Sequence, residues 1–206
     1  MNVIKNELFV TPVWEIDTGF DSDFNTNLLK ELNKFYITQS KQSKSDFSDV
    51  WQATTPYITK MKQYILDVVR AETLSDVSSV YENSDDLIYF HSRGWLNYIL
   101  PGHSLSIHGH GTAKLAVTYY IDAPENSGDL LLIDPRGSVD WDLGKDGCTN
   151  SKFSRIKPKE SKLVFFPGYV LHTIERNLSS LPRISLTSNV HTVSRTEVDS
   201  IRRNFE

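Results

Sequence analysis

A series of short β-rich runs, beginning near residue 87, constrains the fold of this chain more than any other feature. Gly, Pro, Asn and Asp interrupt the runs, and no helical segments alternate with them as βαβ units would require. The runs are DLIYFHSRGWLNYIL, SLSIHGH, KLAVTYYID, DLLLID, KLVFFPGYVLHTIE and RISLTSNVHTV. At least six strands at this spacing predict an antiparallel sandwich or barrel.

The first third of the chain has helical periodicity instead. After the apolar segment LFVTPVW, the run DSDFNTNLLKELNKFYI places apolar residues at helical spacing behind an Asp or Ser cap. A second helix is predicted to begin at Pro56, with Thr55 as its cap. Helices in front of a strand-rich core predict a mainly β fold with N-terminal helices.

The 206 residues are expected to form a single domain, 1–206, because no linker or repeat divides them. Within it we expect a helical buttress and first strand in 1–86, a β core in 87–193 and a C-terminal tail in 194–206. Residues 137–154 form a Gly-, Asp- and Ser-rich insertion, which is typical of a surface loop or a lid over a site.

Composition narrows the cellular setting and the partners. A formal net charge of −4 gives no bulk electrostatic reason to bind nucleic acid. The single Cys148 favours a reducing compartment, since it has no internal partner for a disulfide. The start, MNVIKNELFV, is unlike a signal peptide, and the sequence contains no apolar run of membrane-spanning length. We therefore expect a cytoplasmic protein without a membrane or clear nucleic-acid partner.

Three of the six histidines fall in the short stretch NYILPGHSLSIHGHG. In an extended strand His108 and His110 project to the same side, which lets one strand offer two ligands to one metal. A third candidate, His172, lies in an apolar segment, where a buried imidazole needs a partner. Each histidine alone is compatible with a solvated face or a carbonyl partner. Together the three favour a metal, and imidazole suits zinc, iron, copper or nickel.

The last β-rich run, RISLTSNVH, has one polar face that begins with Arg183. If that face is exposed, it is an ordinary solvated surface. If it points into a barrel, Arg183 is a buried cation that requires an anion, and its planar fork suits a carboxylate. Ser185, two residues on, would add a hydroxyl to the same oxygen. This second alternative predicts a site for an anionic small molecule at a metal.

Several motifs, in this order and spacing, resemble a known group of enzymes. The pattern Y-x-x-P-G-x-x-x-x-x-H-x-H begins at Tyr98, FFPGYVLHTIERN carries His172, and PRISLTSN carries Arg183. LFVTPVW, GWLNY, LAVTYYIDAP and SGDLLLIDPR complete the series. Together they resemble the prolyl-hydroxylase-like 2-oxoglutarate- and Fe(II)-dependent oxygenases, and in particular a family of bacterial and phage oxygenases. The resemblance covers residues 8–193.

The resemblance implies a double-stranded β-helix, or jelly roll, as the core. It implies three Fe(II) ligands: His108, His110 and His172. It also implies a 2-oxoglutarate pocket formed by Arg183, Ser185, Tyr120 and Tyr98. With O2 as co-substrate, such an enzyme is a dioxygenase that hydroxylates a small-molecule or peptidyl substrate and releases succinate and CO2. No catalytic residue beyond the metal ligands is implied. If the chain is phage-encoded, its location would be the host cytoplasm.

One position departs from the pattern of the broader superfamily. H-x-D or H-x-E is usual there, whereas this chain has Gly109 and His110. A three-histidine site puts less negative charge on the metal than a site with a carboxylate. Asp122 and Asp134 lie too far along their strands to be obvious substitutes.

Two alternatives remain open from the sequence. The first is a cupin-type metalloprotein that does not use 2-oxoglutarate, because Gly102 precedes His108 at the cupin spacing. The expected Glu is missing, however, and a cupin has no need of Arg183. The second is a non-catalytic jelly-roll binding protein, which leaves the histidines and the arginine unexplained.

His91, His103 and His191 are expected to be strand, turn or surface residues. Trp51, Trp95 and Trp141 are expected to pack in the core or a lid, and the sequence leaves substrate and oligomeric state open.

Overall fold

Two antiparallel β-sheets pack face to face in the structure, a computed structural model that describes residues 10–40, 49–78, 86–136 and 153–203. Nine strands make up these sheets: β1 (Trp14–Asp17), β2 (Leu87–Ile99), β3 (Leu105–His108), β4 (Leu115–Asp122), β5 (Leu130–Ile133), β6 (Phe153–Ile156), β7 (Lys162–Pro167), β8 (His172–Ile174) and β9 (Arg183–Ser194). The larger sheet has the order β1-β7-β4-β9-β2 and the smaller one β3-β8-β5-β6. Every pairing is antiparallel, which confirms the predicted sandwich.

Among the described residues, three α-helices accompany the strands: α1 (Ser22–Ser40), α2 (Pro56–Ser78) and α3 (Arg195–Arg203). A short 3₁₀ helix spans Val50–Gln52. The predicted N-terminal helices are confirmed, and α3 occupies most of the segment expected to be a tail. Most of the predicted insertion, residues 137–152, lies outside the described residues. No helix in the described part of the chain is long and apolar enough to cross a membrane.

Both faces of the larger sheet are covered, one by the helices and the other by the smaller sheet. Alternate residues of each central strand point to opposite sides, so each strand contributes to both interiors. On β9, Ile184, Leu186 and Val190 point toward α1 and α2 and join their apolar residues in one core. Phe24, Leu28 and Leu32 supply the α1 side of this core, as their helical spacing predicts. A smaller apolar cluster fills part of the space between the two sheets, leaving the remainder for a cavity.

The start of α2 differs from the prediction in one detail. The Thr55 hydroxyl does not cap the helix; it donates to Oε2 of Glu31 on α1, at 2.6 Å. The same carboxylate oxygen accepts from the backbone N–H groups of Tyr57 and Ile58, at 2.9 and 3.0 Å. A carboxylate at a helix N-terminus satisfies its unpaired N–H groups and complements the helix dipole. Glu31 therefore both caps α2 and ties it to α1.

A polar cluster lies behind the cavity, between the larger sheet and α2. His91 contacts Ser188 Oγ through Nδ1 at 2.7 Å and the Lys62 carbonyl through Nε2 at 2.9 Å. Trp51 donates its indole N–H to Ser188 Oγ at 3.0 Å, and its ring lies 4.6 Å from that of His91. Burial lowers the pKa of His91 to about 4, so the ring is neutral near pH 7.

Candidate active site

A cavity of about 270 Å³ lies between the two sheets. Its volume is close to the lower end of the range of about 300–1,000 Å³ that is usual for small-molecule sites. The lining residues come from both sheets and include all three histidines singled out from the sequence: Arg93, Trp95, Asn97, Leu105, His108, His110, Thr118, Leu130, His172, Ile174, Arg183, Ser185, Thr187 and Asn189.

The three histidines converge at one point of the cavity. His108 ends β3 and pairs directly with His172 on β8, while His110 follows two residues after His108. One ring nitrogen from each lies within 4.8 Å of the other two. The ring centroids are 4.2 Å apart for His108 and His172, and 5.0 Å apart for His110 and His172. Such a set can hold a metal ion.

The Nδ1 atoms of the three rings have oxygen partners on the protein. His108 Nδ1 lies 2.8 Å from the Ser106 carbonyl, and His172 Nδ1 lies 3.0 Å from the Val170 carbonyl. His110 Nδ1 contacts the Asn189 side-chain oxygen. Because carbonyl oxygens only accept, each Nδ1 carries the proton and each Nε2 keeps its lone pair. Metal-binding histidines characteristically have such a second hydrogen bond, which orients the ring.

The surroundings of the site favour the neutral forms of His110 and His172. The pKa of His172 is lowered to about 4, mainly by burial, and the neighbouring His108 and His110 contribute to the decrease. Burial is also the main cause of the lowered pKa of His110, and the nearby His108 adds to it. A ligand must be deprotonated to bind a metal, so a low pKa favours binding at neutral pH. Three neutral nitrogen donors suit a divalent transition metal such as Fe(II).

The two candidate substitutes for a carboxylate ligand lie elsewhere. The described group of potential ligands consists of the three histidines alone. Asp122 is exposed at the end of β4, and Asp134 forms an ion pair with Arg136, at 2.5 Å. No described carboxylate therefore joins the three histidines.

Arg183 is fully buried at the start of β9, with 0% of its surface exposed. Its Nη1 donates to the Gly128 carbonyl at 2.9 Å, and its Cζ lies 4.7 Å from the ring centre of Tyr120. Among the described residues, only four buried side-chain polar atoms have no hydrogen-bond partner: Arg183 Nε, Arg183 Nη2, Tyr120 Oη and Ser127 Oγ. Three of the four thus belong to one contacting pair, Arg183 and Tyr120.

These unpartnered atoms indicate that the site fits an anion. Buried donors without partners are rare and costly, and a buried cation without a counter-ion is more costly still. Burial lowers the pKa of Arg183, which is the direction expected for a cation removed from water. A carboxylate beside Nε and Nη2 would satisfy both donors of Arg183. Ser185, also buried, lines the cavity beside them.

Tyr98 does not line the cavity, which corrects the sequence-based expectation. Its side chain is 43% exposed and donates to Asn33 Oδ1 on α1, at 2.7 Å. Adjacent residues of a strand point to opposite faces, so Asn97 is the residue that points inward. Asn97 donates to Thr187 Oγ1 across the strand pair, at 2.8 Å.

Sequence reasoning also missed Trp95 and Asn189 as parts of the site. Trp95 was expected to pack in the core or a lid, but it lines the cavity and stacks on His110 with ring centres 5.6 Å apart. Asn189 holds His110 through its side-chain oxygen. The alternation of side chains along a strand could have identified both residues. Asn189 lies on the same face of β9 as Arg183, and Trp95 lies on the inner face of β2.

Comparison with known proteins finds one matching family. Residues 93–189 match the family described as "Putative 2OG-Fe(II) oxygenase". The matched segment contains the three histidines, Arg183, and all the other residues that line the cavity. No curated protein sequence matches the chain.

Solved structures show the same fold at low sequence identity. A viral collagen prolyl hydroxylase from Paramecium bursaria chlorella virus-1 matches with a TM-score of 0.57 and 14% identity, over 92% of this chain and 98% of that one. A Pseudomonas putida prolyl-4-hydroxylase matches with a TM-score of 0.55 and 15% identity, over 88% of each chain.

A third structure was solved with ligands. It is HygX from Streptomyces hygroscopicus with nickel and 2-oxoglutarate bound, with a TM-score of 0.55, 12% identity, and coverage of 87% of this chain and 81% of that one. The fold confirms the jelly-roll core expected from the sequence. Residues 93–189, just under half of the chain, thus contain both the cavity and the match to the 2OG-Fe(II) oxygenase family.

Proposed function

We propose that this enzyme is a dioxygenase that hydroxylates an unactivated C–H bond of an amino-acid, peptidyl or other small-molecule substrate. His108, His110 and His172 would bind Fe(II), and Arg183 would bind the distal carboxylate of 2-oxoglutarate. The observation that carries the proposal is the pair of unpartnered buried donors on Arg183 in the same cavity as the three converging histidines.

The overall reaction balances as a coupled oxidation. Substrate, 2-oxoglutarate and O2 give hydroxylated substrate, succinate and CO2, with one oxygen atom in the new hydroxyl and the other in succinate. Bound Fe(II) would supply the redox chemistry that activates O2. The protein's own part is to bind, orient and exclude water.

Arg183 and its neighbours would orient the co-substrate. The planar guanidinium can donate two parallel hydrogen bonds to a carboxylate, which fixes the direction of the molecule as well as its position. The Tyr120 ring lies 4.7 Å from Arg183 Cζ and Tyr120 pairs with Ser185 across the sheet, so both hydroxyls are candidates to donate to the same carboxylate. Both sheets contribute lining residues, so the reacting groups would be shielded from bulk water.

The test is the formation of succinate from 2-oxoglutarate by the purified protein with Fe(II) and O2. We expect turnover by the wild type and at least a hundredfold loss in His108→Ala and His172→Ala, which each remove a ligand. His103→Ala is the matched control, because His103 is an exposed histidine outside the cavity. Equal succinate formation by all four proteins, or none by the wild type, would overturn the proposal.

A cupin-type metalloprotein that does not use 2-oxoglutarate is the second candidate, since three converging histidines can also hold a metal there. It predicts that the histidine variants lose metal while 2-oxoglutarate neither binds nor turns over. We also propose a cytoplasmic location, supported by the single cysteine of the chain.

A further inference from the structure

One wall of the cavity carries uncharged polar side chains between Arg183 and the histidines. Ser185 and Thr187 follow Arg183 on the same face of β9, and Asn97 pairs with Ser185 from the neighbouring strand β2. The facing wall is apolar apart from the histidines, since the described residues that the smaller sheet adds there are Leu105, Leu130 and Ile174. A polar ligand would therefore find its hydrogen-bond partners on the larger sheet.

Asn97 and Thr187 are joined by a hydrogen bond across this wall. Asn97 Nδ2 donates to Thr187 Oγ1 at 2.8 Å, and neither side chain makes another hydrogen bond with the described part of the chain. A threonine hydroxyl can donate as well as accept, and an asparagine amide has two N–H groups. The proton of the Thr187 hydroxyl is therefore available to a ligand.

The surroundings of Thr187 favour such a use. Only 5% of its surface is exposed, yet the residue lines the cavity. A hydroxyl in a buried position is costly unless it is fully hydrogen-bonded. Because Thr187 Oγ1 accepts from Asn97, its own proton is directed away from Asn97. Asn97 thus orients the Thr187 hydroxyl as a donor.

The position of Thr187 along β9 indicates which part of a ligand it would meet. Thr187 lies four residues from Arg183 and two residues from Asn189, the residue that holds His110. At the usual rise of a strand, these separations are roughly 13 and 7 Å. A molecule of 2-oxoglutarate with its distal carboxylate on Arg183 would extend along β9 toward the histidines. Its 2-oxo acid end would then lie at the level of Thr187.

We propose that the Thr187 hydroxyl, oriented by Asn97, donates a hydrogen bond to the carboxylate of 2-oxoglutarate that is next to the keto group. Thr187 is then a binding residue, and Asn97 is a positioning residue that acts through it. The proposal rests on the proposed function, and it adds a contact at the metal-facing end of the co-substrate. A molecule held by Arg183 at one end and by Thr187 at the other has a single orientation in the cavity.

The experiment measures 2-oxoglutarate binding under anaerobic conditions by the full chain loaded with Fe(II). Thr187→Val removes the hydroxyl and keeps the shape of the side chain. It should weaken binding on the order of tenfold to a hundredfold, the usual effect of one hydrogen bond to a charged group. Thr187→Ser keeps the hydroxyl and should recover most of the affinity. The matched control is Thr192→Val, on the opposite face of β9 and outside the cavity, which should bind as the wild type does.

The role of Asn97 is tested by combining substitutions. Asn97→Leu removes the donor that orients the Thr187 hydroxyl and should also weaken 2-oxoglutarate binding. The double variant Asn97→Leu/Thr187→Val should bind no more weakly than Thr187→Val alone, because both changes remove the same interaction. Additive losses in the double variant would overturn the positioning role.

Two further readouts separate this contact from a structural role. The affinity for Fe(II) alone should be unchanged in Thr187→Val, whereas the visible absorption maximum of the saturated Fe(II) and 2-oxoglutarate complex should shift. Arg183→Lys, which changes the distal contact, should leave that maximum in place. An unchanged 2-oxoglutarate affinity in Thr187→Val, an unshifted maximum, or a loss of Fe(II) affinity overturns this proposal alone. A wild type that does not bind 2-oxoglutarate overturns the proposed function, and this proposal with it.

Discussion

Replacing Arg183 by Met should change stability and ligand binding in opposite directions. Arg183 is fully buried, donates one hydrogen bond to the Gly128 carbonyl and has two donors without a partner on the protein. Replacing buried charges by apolar side chains of similar size is often neutral or stabilising, by about 1–4 kcal/mol. Because the variant also loses the Gly128 bond, we expect a gain near the low end, about 1–2 kcal/mol.

The same substitution should greatly weaken 2-oxoglutarate binding. Hydrogen bonds to charged groups contribute about 1.5–3 kcal/mol each. Loss of the two that Nε and Nη2 can donate should therefore cost about 3–6 kcal/mol, which is more than a hundredfold in affinity. Arg183→Lys keeps the charge but not the planar fork, so its affinity for 2-oxoglutarate should lie between those of Arg183→Met and the wild type.

Two assays check this pair of effects. Thermal unfolding of the metal-free proteins should show a midpoint about 2–8 °C higher for Arg183→Met, by the usual relation for a chain of this size. Titration with 2-oxoglutarate in the presence of Fe(II) gives the affinities. A variant that is less stable than the wild type but binds 2-oxoglutarate equally well would show that Arg183 is a structural residue.

Three further predictions follow from the surroundings of the cavity. Asn189→Leu removes the acceptor that orients His110 and should weaken Fe(II) or Co(II) binding about 10- to 100-fold. Asn189→Asp keeps an acceptor at this position and should retain the metal affinity. Metal titration measures both variants, and a wild-type affinity in Asn189→Leu would contradict the orienting role of Asn189. The pKa of His91 is about 4 in the folded protein against 6.5 unfolded, so folding favours its neutral form. This preference contributes up to about 3 kcal/mol to the free energy of unfolding; the contribution is complete above pH 6.5 and is lost as the pH falls toward 4. In urea unfolding, the free energy of unfolding of His91→Gln should therefore depend less on pH than that of the wild type. An identical pH dependence in the two proteins would refute this. A Cβ at Gly94 would lie 2.2 Å from Trp51 Nε1, so Gly94→Ala should cost about 1–3 kcal/mol in the same assay, and an unchanged midpoint would show that Trp51 can move freely.

The parts of the site that local periodicity determines could be predicted from the sequence. His108, His110 and His172 converge in the structure, and the polar face of β9 with Arg183 and Ser185 points into the cavity. A strand alternates with a period of two, so one inward residue identifies the others on its strand. The resemblance to a known family then connected strands that the pattern alone could not place together.

The failures occurred where tertiary contacts override local signals. Both faces of β2 carry polar and aromatic residues, so polarity does not tell Asn97, which points inward, from Tyr98, which reaches Asn33 on α1. Thr55 has the sequence signature of a helix cap, but Glu31 from another helix takes that role. No local pattern encodes either contact, because the partners are more than twenty residues away in sequence.

Metal-dependent binding of 2-oxoglutarate tests the central claim most directly. Tryptophan fluorescence is suited to the measurement, since Trp95 lines the cavity and stacks on His110. Under anaerobic conditions, 2-oxoglutarate should change the fluorescence saturably with Fe(II) present, and this response should be lost in both His172→Ala and Arg183→Met. A wild-type protein that binds Fe(II) but gives no response to 2-oxoglutarate would contradict the account.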